Sequence, residues 1–200
     1  MFPLIETIKI LNGQAQHLAY HQHRFEASYY KLYKKLTTIK LADVIQVPKV
    51  FENGLVKLRF LYNEADCFCQ YDNYQPKKIA TVKLVADDKI DYSLKWVNRK
   101  PLENLLQHKG QADEILIIKN RRITDTSYTN IVFFDGKDWL TPKYPLLHGT
   151  ARARLLNENK IKAMDIFIDD LSVFQSFKLI NAMLDFESQP AMDVKNLIKD

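Results

Sequence analysis

The residue in this 200-residue chain whose surroundings most invite chemistry is Asp125. It lies in Ile123-Thr124-Asp125-Thr126-Ser127-Tyr128-Thr129-Asn130, a patch of small hydroxyl residues between the apolar runs Ile115-Leu116-Ile117-Ile118 and Ile131-Val132-Phe133-Phe134. Bulky branched and aromatic residues fit a pleated, buried surface, so both runs read as inner strands. A carboxylate set between them is costly unless something pairs with it. Two readings stand. Local turn hydrogen bonds to Ser127 and Thr129 could consume the acid, which composition alone favours, or it could face a cationic partner in a cleft.

Other groups invite the same question. Gly149-Thr150-Ala151-Arg152 opens a helix through Leu155 and Leu156, and its first amides would be donors for an anion. His17, His21 and His23 lack an H-E-x-x-H pattern and an acidic partner set, so no metal site is expected. Cys67 and Cys69 would share one face of a strand, as a packed thiol pair rather than a disulfide.

The elements that must position these groups follow from pattern. Glu6 to Ile10 alternates as a strand closed by Asn12-Gly13. From about Tyr20, the set Phe25, Tyr29, Leu32, Tyr33 and Leu36 marks one helix face ending in the basic run Lys31 to Lys35. Gly54 to Tyr62 and Cys67 to Tyr71 form a strand pair. Gln75-Pro76-Lys77-Lys78 is the candidate domain junction. Beyond it come a strand at Thr81 to Val85, a helix from about Arg99 to Lys109 with Pro101 in its first turn, and the three strands around Asp125. Asp135-Gly136 is a turn before the short strand Trp139-Leu140. Ile161 to Ile168, Leu171 to Phe174, Phe177 to Leu184 and Met192 to Ile198 read as strand, short helix, strand and final helix. Strands mixed with helices in both halves indicate an α+β fold.

A chain that is 46% hydrophobic supports one large core or two small ones, and its few, scattered glycines and prolines exclude a low-complexity or collagen-like chain. The amino terminus lacks a basic region followed by a long apolar run, and no apolar stretch approaches a membrane span, so a cytoplasmic location is expected. The net charge of +5 could attract anionic small molecules, but scattered basic residues without an aromatic-basic stripe give no nucleic-acid signature.

Taken in order, several segments resemble the class IV aminotransferases, the fold-type-IV pyridoxal-phosphate enzymes, over almost the whole chain. Glu6-Thr7-Ile8 resembles the family's E-T strand, and His21-Gln22-His23-Arg24-Phe25-Glu26-Ala27-Ser28 its H-x-x-R helix. Lys95-Trp96-Val97-Asn98-Arg99 resembles the lysine segment and Asp113-Glu114-Ile115-Leu116 the D-E-x-L segment. Ile123 through Asn130-Ile131 resembles the strand pair that runs from an acid to S-N, and Leu147-His148-Gly149-Thr150-Ala151-Arg152 the L-x-G segment. Each match alone is weak; their common order is a strong signal.

The resemblance implies two small α/β-layered domains with pyridoxal 5'-phosphate between them: residues 1–75, truncated at the start, and residues 76–200 carrying the cofactor lysine. Lys95 would hold the cofactor as a Schiff base, which requires a desolvated amine that loses its proton readily. Asp125 would stand beside the pyridine nitrogen and favour its protonated form. Arg24 would offer a guanidinium fork to the phosphate, Thr150 and Ala151 backbone amides, and Thr129 and Thr150 hydroxyls. Leu147 would pack on the ring, and Asn181 would lie near a further polar contact.

The chain also departs from the family. Aspartate replaces the usual glutamate at 125, Thr150 and Ala151 stand where isoleucine and threonine are usual, and Ile5 replaces an aromatic. The chain begins almost at the E-T strand, so part of the substrate pocket is expected to be missing or rebuilt. The implied activity is transamination between an amino acid and a 2-oxo acid, or the lyase reaction that turns 4-amino-4-deoxychorismate into 4-aminobenzoate and pyruvate. The Asn98-Arg99 pair resembles the lyases somewhat more. A non-catalytic binding protein that kept the fold is the reading from another class. A homodimer is implied by the family.

Overall fold

The computed structural model describes residues 1–198. The chain divides into two compact units, the first comprising Met1–Pro76 with Leu94–Asn98, the second Lys77–Ser93 with Arg99 onward. The short stretch holding Lys95 therefore belongs to the first unit.

In the first unit β1 (Leu4–Leu11) turns through Asn12 and Gly13, both at positive φ, into β2 (Gln14–Ala15). Then follow α1 (Leu18–Tyr33), α2 (Leu41–Val44), β3 (Leu55–Tyr62) and β4 (Cys67–Asn73). The strands form one antiparallel sheet in the order β2-β1-β3-β4. In β3, Val56, Leu58, Phe60 and Tyr62 alternate inward, as the period of two requires. Phe25 on α1 meets the rings of Phe60 and Tyr62 edge-on, at 5.5 and 4.7 Å between centroids.

α1 stops at Lys34, which takes the left-handed conformation at φ 58°. Leu36, expected on the helical stripe, consequently lies beyond the helix and is exposed. The Lys95 stretch is tied to β1 by backbone bonds: Ile5 N donates to Lys95 O at 3.0 Å and Val97 N to Pro3 O at 2.8 Å. Leu94 is buried in this unit's core.

The second unit holds β5 (Val82–Ala86), α3 (Lys100–Leu106), β6 (Glu114–Lys119), β7 (Arg122–Thr126), β8 (Asn130–Phe134), β9 (Trp139–Pro142), α4 (Thr150–Asn157), β10 (Lys162–Met164), β11 (Ser176–Ile180), β12 (Met192–Asp193) and β13 (Leu197–Ile198). They build two sheets, β13-β5-β6-β7 and β10-β9-β8-β11-β12. β5 and β6 are parallel and β6 and β7 antiparallel, an α+β mixture. Leu84, Leu116 and Ile123 from one sheet and Ile131, Phe133, Phe177 and Leu179 from the other share one core.

Three expectations for the carboxyl-terminal part are corrected. The Ile161 to Ile168 strand is only Lys162–Met164; the short helix expected at Leu171 to Phe174 is present as a 3-10 helix over Ile168–Val173. The strand from Phe177 ends at Ile180, because the Asn181 side chain accepts from Met183 N and Leu184 N and closes a turn. Met192 to Ile198 is not one helix but two short strands around a 3-10 turn over Val194–Asn196. Met192 pairs with Phe177 and Leu197 with Val82, so sheet edges take up a segment too short to hold a helix by itself.

Candidate active site

Asp125 is held by an irregularity in β7. Leu116 pairs with Thr126 and Ile118 with Ile123, so two steps along β6 face three along β7. The extra residue makes a bulge at Thr124–Asp125, the kind of break that re-aims a side chain. Thr124 Oγ1 donates to Ile117 O at 2.7 Å across it. The acid is 5% exposed, and its partners are not those composition favoured. Asn130 Nδ2 donates to Oδ1 at 2.7 Å and Leu147 N to Oδ2 at 2.8 Å. The turn bonds expected of Asp125 are made instead by Thr126, whose Oγ1 accepts from Tyr128 N and Thr129 N and meets Thr129 Oγ1 at 2.7 Å. Burial pushes the Asp125 carboxyl up to about 6, against the lowering effect of the Leu147 and Asn130 donors and of the Arg152 charge.

Asn130 is the hub of this arrangement. Its Nδ2 also donates to Leu147 O at 2.9 Å, which ties the acid to the loop before α4. Gly149 caps that helix at φ −67°, a conformation any residue adopts; glycine is required there because a β-carbon would stand 1.9 Å from Asn130 Oδ1.

The remaining residues expected in this unit are placed as follows. Leu147 is bonded directly to Asp125. Thr150 and Ala151 open α4 and are buried, with Thr150 at 6% and Ala151 at 8% exposure. Thr129 lies in the turn with its hydroxyl against Thr126. The Asn181 side-chain oxygen is engaged in its own turn. Arg99 Nη2 donates to Ser127 O at 2.8 Å, and Ser127 N donates to the buried Glu114 carboxylate at 3.2 Å, so the turn after Asp125 is held from two sides.

The first unit brings Lys95, Arg24, His21 and Glu6 into one electrostatic group. Glu6, on β1, is fully buried. Arg24 Nε donates to its Oε1 at 2.8 Å and Nη2 to its Oε2 at 2.6 Å, while His21 Nδ1 lies 2.7 Å from Oε2. Burial alone would raise the Glu6 carboxyl; the Arg24 charge and the bonds from His21 and Arg24 override it and hold it at about 2. Burial lowers the His21 imidazole, and the Arg24 and Lys95 charges add to this against the pull of Glu6, so the ring is neutral at pH 7 and its Nδ1–H donates a hydrogen bond to the Glu6 carboxylate. Lys95 is half-buried.

Sequence reasoning gave no role to Glu6, His21, Asn130 or Arg152. The signal was present, since each stands inside a quoted segment. What was missing was the knowledge that Glu6 faces His21, that Asn130 faces Asp125, and that all four are buried.

The chain matches the model of the family described as "Amino-transferase class IV" over residues 3–187. It belongs to the class IV aminotransferases, a family of pyridoxal-phosphate-dependent enzymes that act on small molecules. An uncharacterized protein of Haemophilus influenzae is 42% identical over 185 residues, which is 92% of this chain and 98% of that one. A crystal structure from Haemophilus somnus, provisionally named a 4-amino-4-deoxychorismate lyase, is 44% identical, with a TM-score of 0.87 over 92% of this chain and 97% of that one. A Mesorhizobium loti structure, provisionally named an amino-acid aminotransferase, is 20% identical with a TM-score of 0.78 over the full length of both chains and shares the fold. Among the described residues no helix is long and apolar enough to cross a membrane, and no group of three or more His, Cys, Asp or Glu could hold a metal ion.

Proposed function

We propose that this protein binds pyridoxal 5'-phosphate and uses it on an amino-acid-like substrate. The observation that carries this reading is Asp125: a carboxylate on a strand bulge, buried, with neutral donors on both oxygens and a pKa raised to about 6. Its chemical complement is a flat cation that donates one N–H, which describes a protonated pyridine ring.

The chain's residues suit the rest of the group. Leu147, bonded to Asp125, gives an apolar side chain beside the acid, and the first amides of α4 at Thr150 and Ala151 can donate to a phosphate. Thr129 and Thr150 have hydroxyls for the same purpose. Arg24 adds a positive charge held rigid by Glu6. Lys95 supplies the primary amine that would carry the cofactor and move a proton at Nζ. Asn181 is left with little to offer, because its oxygen already accepts two backbone bonds. When bound, pyridoxal phosphate supplies an electron sink for the pair left behind as a bond to the substrate's α-carbon breaks.

Between the two reactions of this class, lyase action on 4-amino-4-deoxychorismate is favoured over transamination. Its support is the name of the 44% identical Haemophilus somnus protein and the Asn98-Arg99 pair, whose arginine braces the turn beside Asp125. We also carry over from the family a homodimer working in the cytoplasm, and propose that its two domains divide near Pro76, with the Leu94–Asn98 stretch returning to the first. The test is direct. Purified protein should be yellow, and borohydride should fix the cofactor on Lys95. Incubation with 4-amino-4-deoxychorismate should then release pyruvate and 4-aminobenzoate in equal amounts. A colourless protein that takes up no added cofactor overturns the reading; amino transfer to a 2-oxo acid without pyruvate release overturns the choice of reaction. Light scattering decides the oligomeric state.

A further inference from the structure

Arg152 is an arginine in an expensive position. It lies in the first turn of α4, where the helix dipole favours anions, and that turn contains no acid. The side chain is 6% exposed. Nη2 donates to Pro142 O on β9 at 2.8 Å, while Nε is buried with no hydrogen-bond partner among the described residues. No carboxylate of the described residues comes within ion-pair distance of it. A buried cation at the positive end of a helix, with one carbonyl for company, needs compensation from a negative charge farther off.

The buried acid at this helix start is Asp125: its two donors, Asn130 and Leu147, lie against and just before Gly149, the cap of the helix that carries Arg152. Each of the two charges favours the ionised form of the other. The contacts of the acid itself are neutral, namely Asn130 from β8 and the Leu146 and Leu147 amides from the loop before α4. We infer that Arg152 is a positioning residue for Asp125: its guanidinium is the counter-charge that keeps the buried carboxylate ionised and ready for a cationic partner. The pairing runs through space, with the guanidinium anchored on Pro142 O, so it leaves both Asp125 oxygens with their neutral donors and a cation can still approach them. The last step rests on the pyridoxal-phosphate reading; the pairing does not.

The experiment therefore has two arms. In the apoprotein at pH 8, Asp125→Asn, Arg152→Met and the double variant are compared with wild type by urea unfolding. Arg152→Met strands the buried carboxylate and should unfold at lower urea, and that loss should shrink when the same change is made in Asp125→Asn, where the carboxylate is gone. A loss of the same size in both backgrounds overturns the pairing. In the same arm, the infrared carbonyl band of protonated Asp125, assigned by its absence in Asp125→Asn, should have its pH midpoint raised by about one unit in Arg152→Met and restored in Arg152→Lys, about a ten-fold change in ionised fraction. An unmoved midpoint overturns the proposal.

In the second arm, added pyridoxal phosphate and unphosphorylated pyridoxal are each titrated near pH 7. Arg152→Met should weaken both by a similar factor of about ten, and Arg152→Lys should recover both. A loss confined to the phosphorylated form would mean that Arg152 serves the phosphate, and would overturn the proposal. If wild type binds neither compound, the cofactor reading fails while the apoprotein cycle still decides the pair.

Discussion

Asn130 occupies the space that a side chain on residue 149 would need: its Oδ1 lies 1.9 Å from where a Gly149 β-carbon would be, and its Nδ2 holds Asp125 at 2.7 Å. One amide thus couples the helix cap to the acid. Gly149→Ala should push Asn130 away, loosen Asp125 and destabilise the fold by about 1–3 kcal/mol, the usual range for overpacking. Adding Asn130→Ala opens room for the new methyl group, so the double variant should be no less stable than Asn130→Ala alone. Urea unfolding of the three proteins checks this, and strictly additive losses would contradict it.

Glu6 and Arg24 form a second testable pair. Arg24→Ala leaves a fully buried carboxylate without its cation, so it should lower stability by roughly 3–5 kcal/mol as well as weaken cofactor retention. From the sequence, Arg24 is expected to serve mainly the phosphate; its two bonds to the buried Glu6 give it a structural part as well. Glu6→Gln should lose about as much, and Glu6→Gln with Arg24→Ala less than the sum. The Glu6 contribution, roughly 3 kcal/mol for a carboxyl lowered from 4.5 to about 2, is present above pH 4.5 and lost as pH falls toward 2. Acid unfolding of wild type against Glu6→Gln should show the difference shrinking over that range.

Asp125 acts with the opposite sign. Its folded pKa is raised, from 3.8 to about 6, so the folded apoprotein binds the proton more tightly than the unfolded chain. Between pH 4 and 6 its ionisation should remove on the order of 3 kcal/mol of apoprotein stability as pH rises. Asp125→Asn should abolish that slope, and saturating cofactor should reduce it in wild type. Melting curves across this range decide it; an equal slope in wild type and variant would mean the acid does not titrate there.

Thr124 holds the bulge closed through Ile117 O. Thr124→Val keeps the shape and removes the donor, so stability should drop by about 1–2 kcal/mol. Cofactor affinity should fall by more than stability does, because the acid next in sequence loses its alignment. Equal effects on both would reduce Thr124 to an ordinary core residue.

The α+β mixture and most strands were legible from periodicity, because Ile115 to Ile118 and Ile131 to Phe134 can scarcely be anything but buried strands. Met192 to Ile198 misled because short apolar runs carry either period, and the choice was made by the open edges of β11 and β5. Asp125 was found as a residue, yet its partners were not. Nothing in Thr126-Ser127-Tyr128-Thr129 reveals that Thr126 takes the turn bonds and leaves Asp125 to Asn130 and the distant Leu147. Glu6 escaped for a similar reason, since an acid in an alternating strand is normally assigned to the solvent side, and only the fold shows α1 covering it with Arg24 and His21.

The extra residue in β7 makes strand length itself a determinant of chemistry. Along a regular strand, orientation behaves like a reading frame of two, and the insertion at Thr124–Asp125 shifts that frame between Ile123 and Thr126. A one-residue deletion there would restore an even ladder while altering almost none of the sequence, and would turn the acid, or whatever replaced it, to the other side of the sheet. Variants in this hairpin are therefore better judged by the parity of their length than by the similarity of their residues.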